Sequence, residues 1–462
     1  MSTAYSAGDR TIHLWAVGAM SDYMLFVAFN ALILPIFTTG FGLDPRMVGW
    51  ALTLPRITDA LIDPLLGHFS DNLHTRWGRR RPFLAVSAVL GAGMLMLMWW
   101  PSPDWGEMAK FTWLLVTSIV LYICYGMYSM SHVALGYELS DDYHVRTKVM
   151  AVRGLYFSIT AMAGGWLYWL ALRPQFGGEI NGIRWISVGL AAVIIGAALV
   201  TIRSTRERFQ DANRKHVPLL PAIRATLRIR PFVIILLLRI AHTLSVSLYA
   251  SIGFFIGTYY VCGGDKSLFS SLSGINGVVG FATAFALVPL SVWLSRRLGK
   301  RNGIISGFAI VLLGAAAMPL CNQPGMPYLL LAHMILFGVL AAVLNLFMSS
   351  VMPDICDLDE LESGERREGL FSAVMSFVSK IENSLCILLS SYLVAWSGFD
   401  VAKGVEQPPE VLTNLLWYGF APKIVFSAVA LALACYFPIT AAMMEDVRAR
   451  LEQRRRAAAT AT

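Results

Sequence analysis

The stretch Arg56-Ile-Thr-Asp59-Ala-Leu-Ile-Asp63-Pro64-Leu-Leu-Gly67-His-Phe-Ser-Asp71 lies inside a long apolar run and leads into the basic cluster Arg76-Trp-Gly-Arg79-Arg80-Arg81-Pro82. Asp59 and Asp63 are four residues apart, so a helix sets both on one face, one turn apart. A carboxylate in hydrocarbon is costly, and two on one face repel unless a cation or a proton sits between them. The pair therefore points to a cation or proton site on a membrane helix. Pro64 removes a backbone hydrogen bond and frees a carbonyl one turn back, which could kink the helix and offer the cation another oxygen. The competing reading is a proline tolerated by packing.

The surrounding chain fits a membrane. Of its 462 residues 56% are hydrophobic and 14% charged, against roughly 25% charged in soluble proteins. Several apolar runs exceed the ~20 residues that cross a bilayer as a helix, and the strand alternation of a membrane barrel is absent. A net charge of +8 raises nucleic acid as a partner. The Lys and Arg sit in short loops between apolar runs, however, which favours a role in membrane orientation. The six cysteines (Cys124, Cys262, Cys321, Cys356, Cys386 and Cys435) are scattered without metal-ligand spacing, and read as small apolar residues. No cleavable signal is evident at the N-terminus.

Twelve spans are expected, near 14–39, 46–72, 82–101, 110–138, 147–173, 183–203, 231–261, 267–294, 303–321, 327–352, 368–397 and 412–440. The long polar gap after the sixth divides the chain into an N-terminal six-helix bundle (1–202), a linker (203–230), a C-terminal bundle (231–444) and a basic tail (445–462). The linker carries a short basic amphipathic segment suited to the membrane surface, and the tail reads as an exposed basic helix serving as an anchor. Lys and Arg gather in the termini and the even-numbered loops, which places both termini in the cytoplasm of an inner-membrane protein. The halves also repeat. Arg76-Trp77-Gly78-Arg79-Arg80 follows span two and Arg297-Leu298-Gly299-Lys300-Arg301 follows span eight; acidic loops after spans four and ten, around Glu138 and Asp359, correspond more roughly. Recurrence at matching places is what a duplicated transporter predicts.

Other charges fall within the spans: Asp22, Arg56, Arg153, Arg239, His242, Lys380, Glu382 and Lys423. Intramembrane charges face the protein interior and pair, so acids and bases of different spans should meet. For Arg239, Glu382 and Lys423 the plainer reading is pairing that only holds helices together. Trp166, Trp169, Tyr23, Tyr125 and Tyr128 offer faces on which a sugar could stack, though aromatics in spans more often line or anchor. No nucleophile, base and orienter occur at a recognisable spacing, so no catalysis and no cofactor is expected.

Three segments together carry a family resemblance: Arg56-x-x-Asp59-Ala-x-x-Asp63-Pro64-x-x-Gly67 with Arg76-Trp77-Gly78-Arg79-Arg80-Arg81-Pro82; Ala134-Leu-x-x-Glu138-Leu-Ser with Arg146; and Asp354-Ile-Cys-Asp357-x-x-Glu360 running into Gly364-Glu-Arg-Arg-Glu-Gly369. They resemble the glycoside–pentoside–hexuronide:cation symporters, the melibiose-permease-like branch of the major facilitator superfamily. The resemblance implies an all-α fold of twelve transmembrane helices in two pseudo-symmetric six-helix bundles. It also implies symport of a sugar or glycoside with H⁺ or Na⁺ by alternating access, by a chain functional as a monomer. Asp59 and Asp63 would bind the cation, a possible Na⁺ being the one metal. Asp22, Arg153, Lys380 and Tyr125 would bind the solute. Gly67, Asp71, Arg76, Arg79 and Arg80 match the superfamily's looser cytoplasmic loop motif and would gate reorientation.

The chain departs from melibiose-type members at four positions. Ser129 and Val133 stand where those members have an aspartate and a tryptophan for galactosides, while Ile62 and Gly126 replace an asparagine and a threonine near the cation. Losing neutral oxygens favours H⁺ over Na⁺, since a proton needs only a carboxylate of raised pKa. Two other readings remain: a cation-coupled carrier of a lysolipid or other amphipath, and a non-transporting membrane sensor.

Overall fold

The computed structural model describes residues 8–27, 32–72, 75, 77–140, 142–205, 207, 226–364 and 367–460; over 59–72 the description is of the backbone. Among these residues the regular elements are helices, apart from a single bridge between Thr75 and Gly78. By contacts the chain forms two compact units. The first joins Met1–Asn213, Cys262–Phe281 and Ile387–Leu412, and the second joins Arg214–Val261, Ala282–Cys386 and Thr413–Thr462. The expected linker and its amphipathic segment fall mostly outside the described residues.

The first expected span is not one rod. It runs as α1 (Asp9–Ala16), α2 (Gly18–Val27) and α3 (Ile33–Thr39). Then come α4 (Pro45–Asn72), α5 (Arg81–Leu97), α6 (Glu107–Tyr137), α7 (Tyr143–Gly164), the short α8 (Leu167–Ala171) and α9 (Glu179–Ser204). Helix α4 is continuous through Pro64. Helix α6 packs on α4 and α5, while α2 packs on α6, α7 and α9. Trp15, Phe37, Trp99 and Tyr128 are fully buried between them.

The second unit is built from α10 (Arg230–Phe255), which passes into a π-helical turn at Ile256–Val261, with parts of α11 (Lys266–Ala286), α12 (Val288–Cys321), α13 (Pro327–Ser363), α14 (Glu368–Trp396), α15 (Pro409–Cys435) and α16 (Ala441–Thr460). Phe232, Phe308, Phe371 and Phe437 centre its core. The tail is more than an exposed anchor. Met444, Val447 and Leu451 of α16 enter that core, and Arg448 donates to Asp354 at 3.0 Å. Spacings of three and four residues put the three apolar side chains on one stripe.

Among the described residues seven helical segments are long and apolar enough to cross a membrane, with only 24–50% of their apolar windows buried inside the protein. Water would not tolerate so much apolar surface, and lipid does. Among the other expected spans, α5 is shorter and α4 is more charged, with Arg56, Asp59, Asp63 and Asp71. The residues that make a span polar are those that remove it from a hydropathy count.

The sequence repeat is a structural repeat. Gly78 and Gly299 both adopt positive φ, 104° and 74°, a conformation that glycine enters without a Cβ penalty. Each turn then places its next basic residue on an acid: Arg79 lies 3.6 Å from Glu138, and Lys300 lies 2.6 Å from Asp354. Each also grips the end of its half's last span, Arg81 donating to the Ile202 carbonyl at 2.5 Å and Arg301 to the Phe437 carbonyl at 2.8 Å. In the first unit the Glu207 carboxylate accepts the N–H groups of Arg79, Arg80 and Arg81 at 2.5, 2.8 and 2.7 Å. That supplies an anion to the free amides that open α5.

Candidate functional site: a buried acid in an aromatic belt

Asp22 of α2 is 1% exposed. Its Oδ2 forms an ion pair with Arg153 of α7 and accepts from the Ser129 hydroxyl of α6 at 3.3 Å. Its Oδ1 is buried with no hydrogen-bond partner among the described residues. A buried acceptor left unmet costs about 1–3 kcal/mol, more when it carries charge. An incoming hydroxyl would relieve that cost. The resemblance sets Ser129 where melibiose-type members carry an acid. Here the side chain donates to Asp22, whereas a second carboxylate would repel it.

Arg153 is fixed from two further sides. Its Nε lies 3.5 Å from His132 Nδ1, and its guanidinium sits 6.0 Å from the Phe157 ring centre. His132, absent from the sequence-based candidates, is fully buried. Its Nε2 contacts the Trp15 carbonyl at 3.0 Å, and the two rings stack at 4.7 Å. The signal was available: an imidazole in a membrane span is as exceptional as a carboxylate.

From Phe157 an unbroken aromatic path leads to α4. Tyr23 meets Phe157 edge-on at 4.9 Å, Phe26 lies 6.4 Å from Tyr23, Tyr125 lies 5.6 Å from Phe26, and Tyr122 lies 5.6 Å from Tyr125. The path ends under the Arg56 guanidinium, 5.8 Å from the Tyr122 ring centre. Arg56 is one turn before Asp59 and is 4% exposed. The structure thus brings Asp22, Arg153 and Tyr125 into one neighbourhood with Ser129 and Arg56. Tyr128 is instead structural, its hydroxyl donating to the Gly18 carbonyl at 3.2 Å. Trp166 and Trp169 pair edge-on at 5.4 Å, and Trp169 carries the Arg173 guanidinium 3.8 Å above its ring.

The side chains of Asp59, Asp63, Gly67 and Asp71, and the whole of Arg76, lie outside the described residues; the backbone sets both aspartates on continuous helix. Arg79 and Arg80 share Glu138. Lys380 lies half-buried on α14 in the second unit. On the same helix Glu382 accepts from Thr243 at 3.1 Å and lies 3.9 Å from Arg239.

Lys423 breaks the expected pattern of pairing. It is 2% exposed in α15, and no carboxylate among the described residues contacts it. Its Nζ instead lies 3.3 Å from the centre of the Phe337 ring and 4.3 Å from that of Tyr249. Burying an ammonium costs several kcal/mol, and a desolvated ring returns about 2 kcal/mol or more.

The fold is that of the major facilitator transporters, and the family match below makes the chain a membrane transporter of that type. The chain superposes with a TM-score of 0.68 on the crystal structure of a bacterial homologue of the human lysosomal transporter Spinster, at 15% identity, over 92% of this chain and 95% of that one. Residues 14–441 match the family described as MFS/sugar transport protein, and the chain belongs to that family. It is 23% identical over 452 residues to the glucuronide carrier protein homolog of Escherichia coli (strain K12), covering 97% of this chain and 96% of that protein. It is 22% identical over 444 residues to the isoprimeverose transporter of Lactiplantibacillus pentosus, covering 94% and 87%.

Proposed function

We propose that the chain carries a sugar or glycoside across the inner membrane by alternating access, in symport with H⁺ or Na⁺ and with both termini in the cytoplasm. One observation carries this reading: the buried Asp22 keeps Oδ1 unsatisfied while its other oxygen is held by Arg153 and Ser129. A pre-oriented carboxylate acceptor beside a guanidinium, with Tyr23, Phe26 and Tyr125 in the adjoining belt, suits the hydroxyls and apolar face of a sugar ring. The names of the two relatives, a glucuronide carrier homolog and an isoprimeverose transporter, support the same solute class. Lys380 keeps its solute-binding role by resemblance.

Asp59 and Asp63 are assigned to the cation by their spacing. A cation between them removes their repulsion, and Arg56, one turn earlier on α4, joins that helix to the belt through Tyr122. Solute binding at one end of the belt and cation binding at the other would then favour one arrangement of the helices, which is the linkage that symport requires. The test is uptake into proteoliposomes over a panel of glycosides, pentosides and uronates, with Na⁺, Li⁺ and pH gradients imposed separately. Accumulation of one class under one gradient is expected. Uptake that equilibrates and never concentrates under any gradient would sink the coupling.

A further inference from the structure

We propose that Lys423 is the centre of a site for a monovalent anion, a halide or a carboxylate, inside the second unit. Its residues are not those assigned to the cation or the solute. Its core is the ammonium between the Phe337 and Tyr249 rings, at 3.3 and 4.3 Å from their centres. Rings shield a cation but supply no negative charge, so the ammonium is stabilised only in part.

A second, independent observation points to a ligand. His333, one turn before Phe337 on α13 and 7% exposed, has no hydrogen-bond partner for either ring nitrogen among the described residues. His242 of α10, 5% exposed, likewise leaves Nδ1 unmet. Both imidazoles lie within electrostatic reach of Lys423. A neutral imidazole always carries one N–H to donate, so the cluster combines one ammonium with an unpaired donor on His333 and an unmet ring nitrogen on His242. The Tyr249 hydroxyl is already engaged by Asn322 at 3.3 Å, which leaves its ring as the face offered to Lys423. Ser245 is also committed, to the Lys423 carbonyl and to Ser427.

The surrounding charge favours an anion over a cation. Arg239 is the other base near His242, and Glu382 holds Arg239 and Thr243 through Oε1 while its Oε2 has no partner among the described residues. Two bases and two imidazoles against one paired acid leave the neighbourhood net positive. A small anion would complete the ammonium and accept from an imidazole together, whereas a cation beside Lys423 would be repelled by the ammonium.

The test uses the purified full-length protein in detergent at constant sodium, replacing HEPES anion stepwise by chloride or by acetate and reading thermal stability. A saturable rise in Tm is expected in the wild type. The apparent affinity should fall by at least about tenfold in Lys423→Met, the loss of about 1.4 kcal/mol. A rise with chloride alone assigns a free inorganic anion; a rise with acetate that an acidic solute displaces assigns a solute carboxylate. No saturable response in the wild type, as a neutral idle lysine predicts, or an equal response in Lys423→Met, overturns the site. If Lys423→Met does not fold, His333→Phe decides, since it keeps the ring and removes both nitrogens; an affinity equal to wild type overturns the site. Sodium is constant throughout and no transport is read, so the result stands apart from the symport assignment.

Discussion

Lys266 Nζ lies 2.6 Å from Glu179 Oε2, joining the start of α11 to the start of α9 within one unit. The same carboxylate accepts from the Tyr168 hydroxyl at 2.8 Å and the Thr39 hydroxyl at 3.2 Å, and Lys266 also donates to Thr39 at 2.8 Å. Four elements therefore meet on one acid, at the opposite end of α9 from the basic turn. The pair is partly open to solvent, at 23% and 13% exposure, so its Coulomb term is screened. A double-mutant cycle with Glu179→Gln and Lys266→Met should give a coupling of about 1–2 kcal/mol in detergent unfolding. Strict additivity would make the contact incidental.

Asp22→Asn removes the charge that holds Arg153 and should weaken solute binding by at least about tenfold, a loss of about 1.4 kcal/mol. Ser129→Ala deletes one hydrogen bond to a charged acceptor and should cost less, about threefold to tenfold. Solute-protected thermal stability measures both. Equal binding by Asp22→Asn and wild type would remove Asp22 from the solute site.

Asp59→Asn and Asp63→Asn should each abolish gradient-driven accumulation while sparing counterflow exchange, since exchange needs no net cation movement. Proteoliposome uptake measured both ways separates the two activities. Mutants that concentrate solute at wild-type rates would remove the pair from cation coupling.

The two repeat glycines make a matched prediction. Gly299→Ala forces an L-residue to positive φ in open space and should cost about 1–2 kcal/mol. Gly78→Ala incurs that cost and also drives a methyl to 2.6 Å from the Glu207 carboxylate that caps α5, so it should be the more damaging. Paired unfolding midpoints check the order.

Much of this was legible in the chain because hydrocarbon is an unforgiving solvent. Apolar runs located the spans, and the rule that buried charges pair anticipated that acids and bases of different spans meet, as Asp22 does with Arg153 and Glu382 with Arg239, without naming the partners. The division of the first span into three helices was not readable, since its composition stays apolar throughout. Lys423 was misjudged as an ion-pair partner because a cation held by rings leaves no complementary charge in the sequence to find. Glu207 gave no local sign either, as its partners are backbone amides more than a hundred residues away. The role of the tail's apolar stripe, Met444, Val447 and Leu451, was masked by the arginines that dominate the composition around it.

Arg81 on the Ile202 carbonyl and Arg301 on the Phe437 carbonyl tie an early turn of each half to the end of its own last span. Each half is thereby closed on itself by a bond between two of its own residues. A nick between residues 208 and 225 would sever neither fastening, so the protein should survive being made as two polypeptides. Co-expressed fragments ending and beginning in that segment should restore uptake, and each piece made alone should resist proteolysis at its own basic turn.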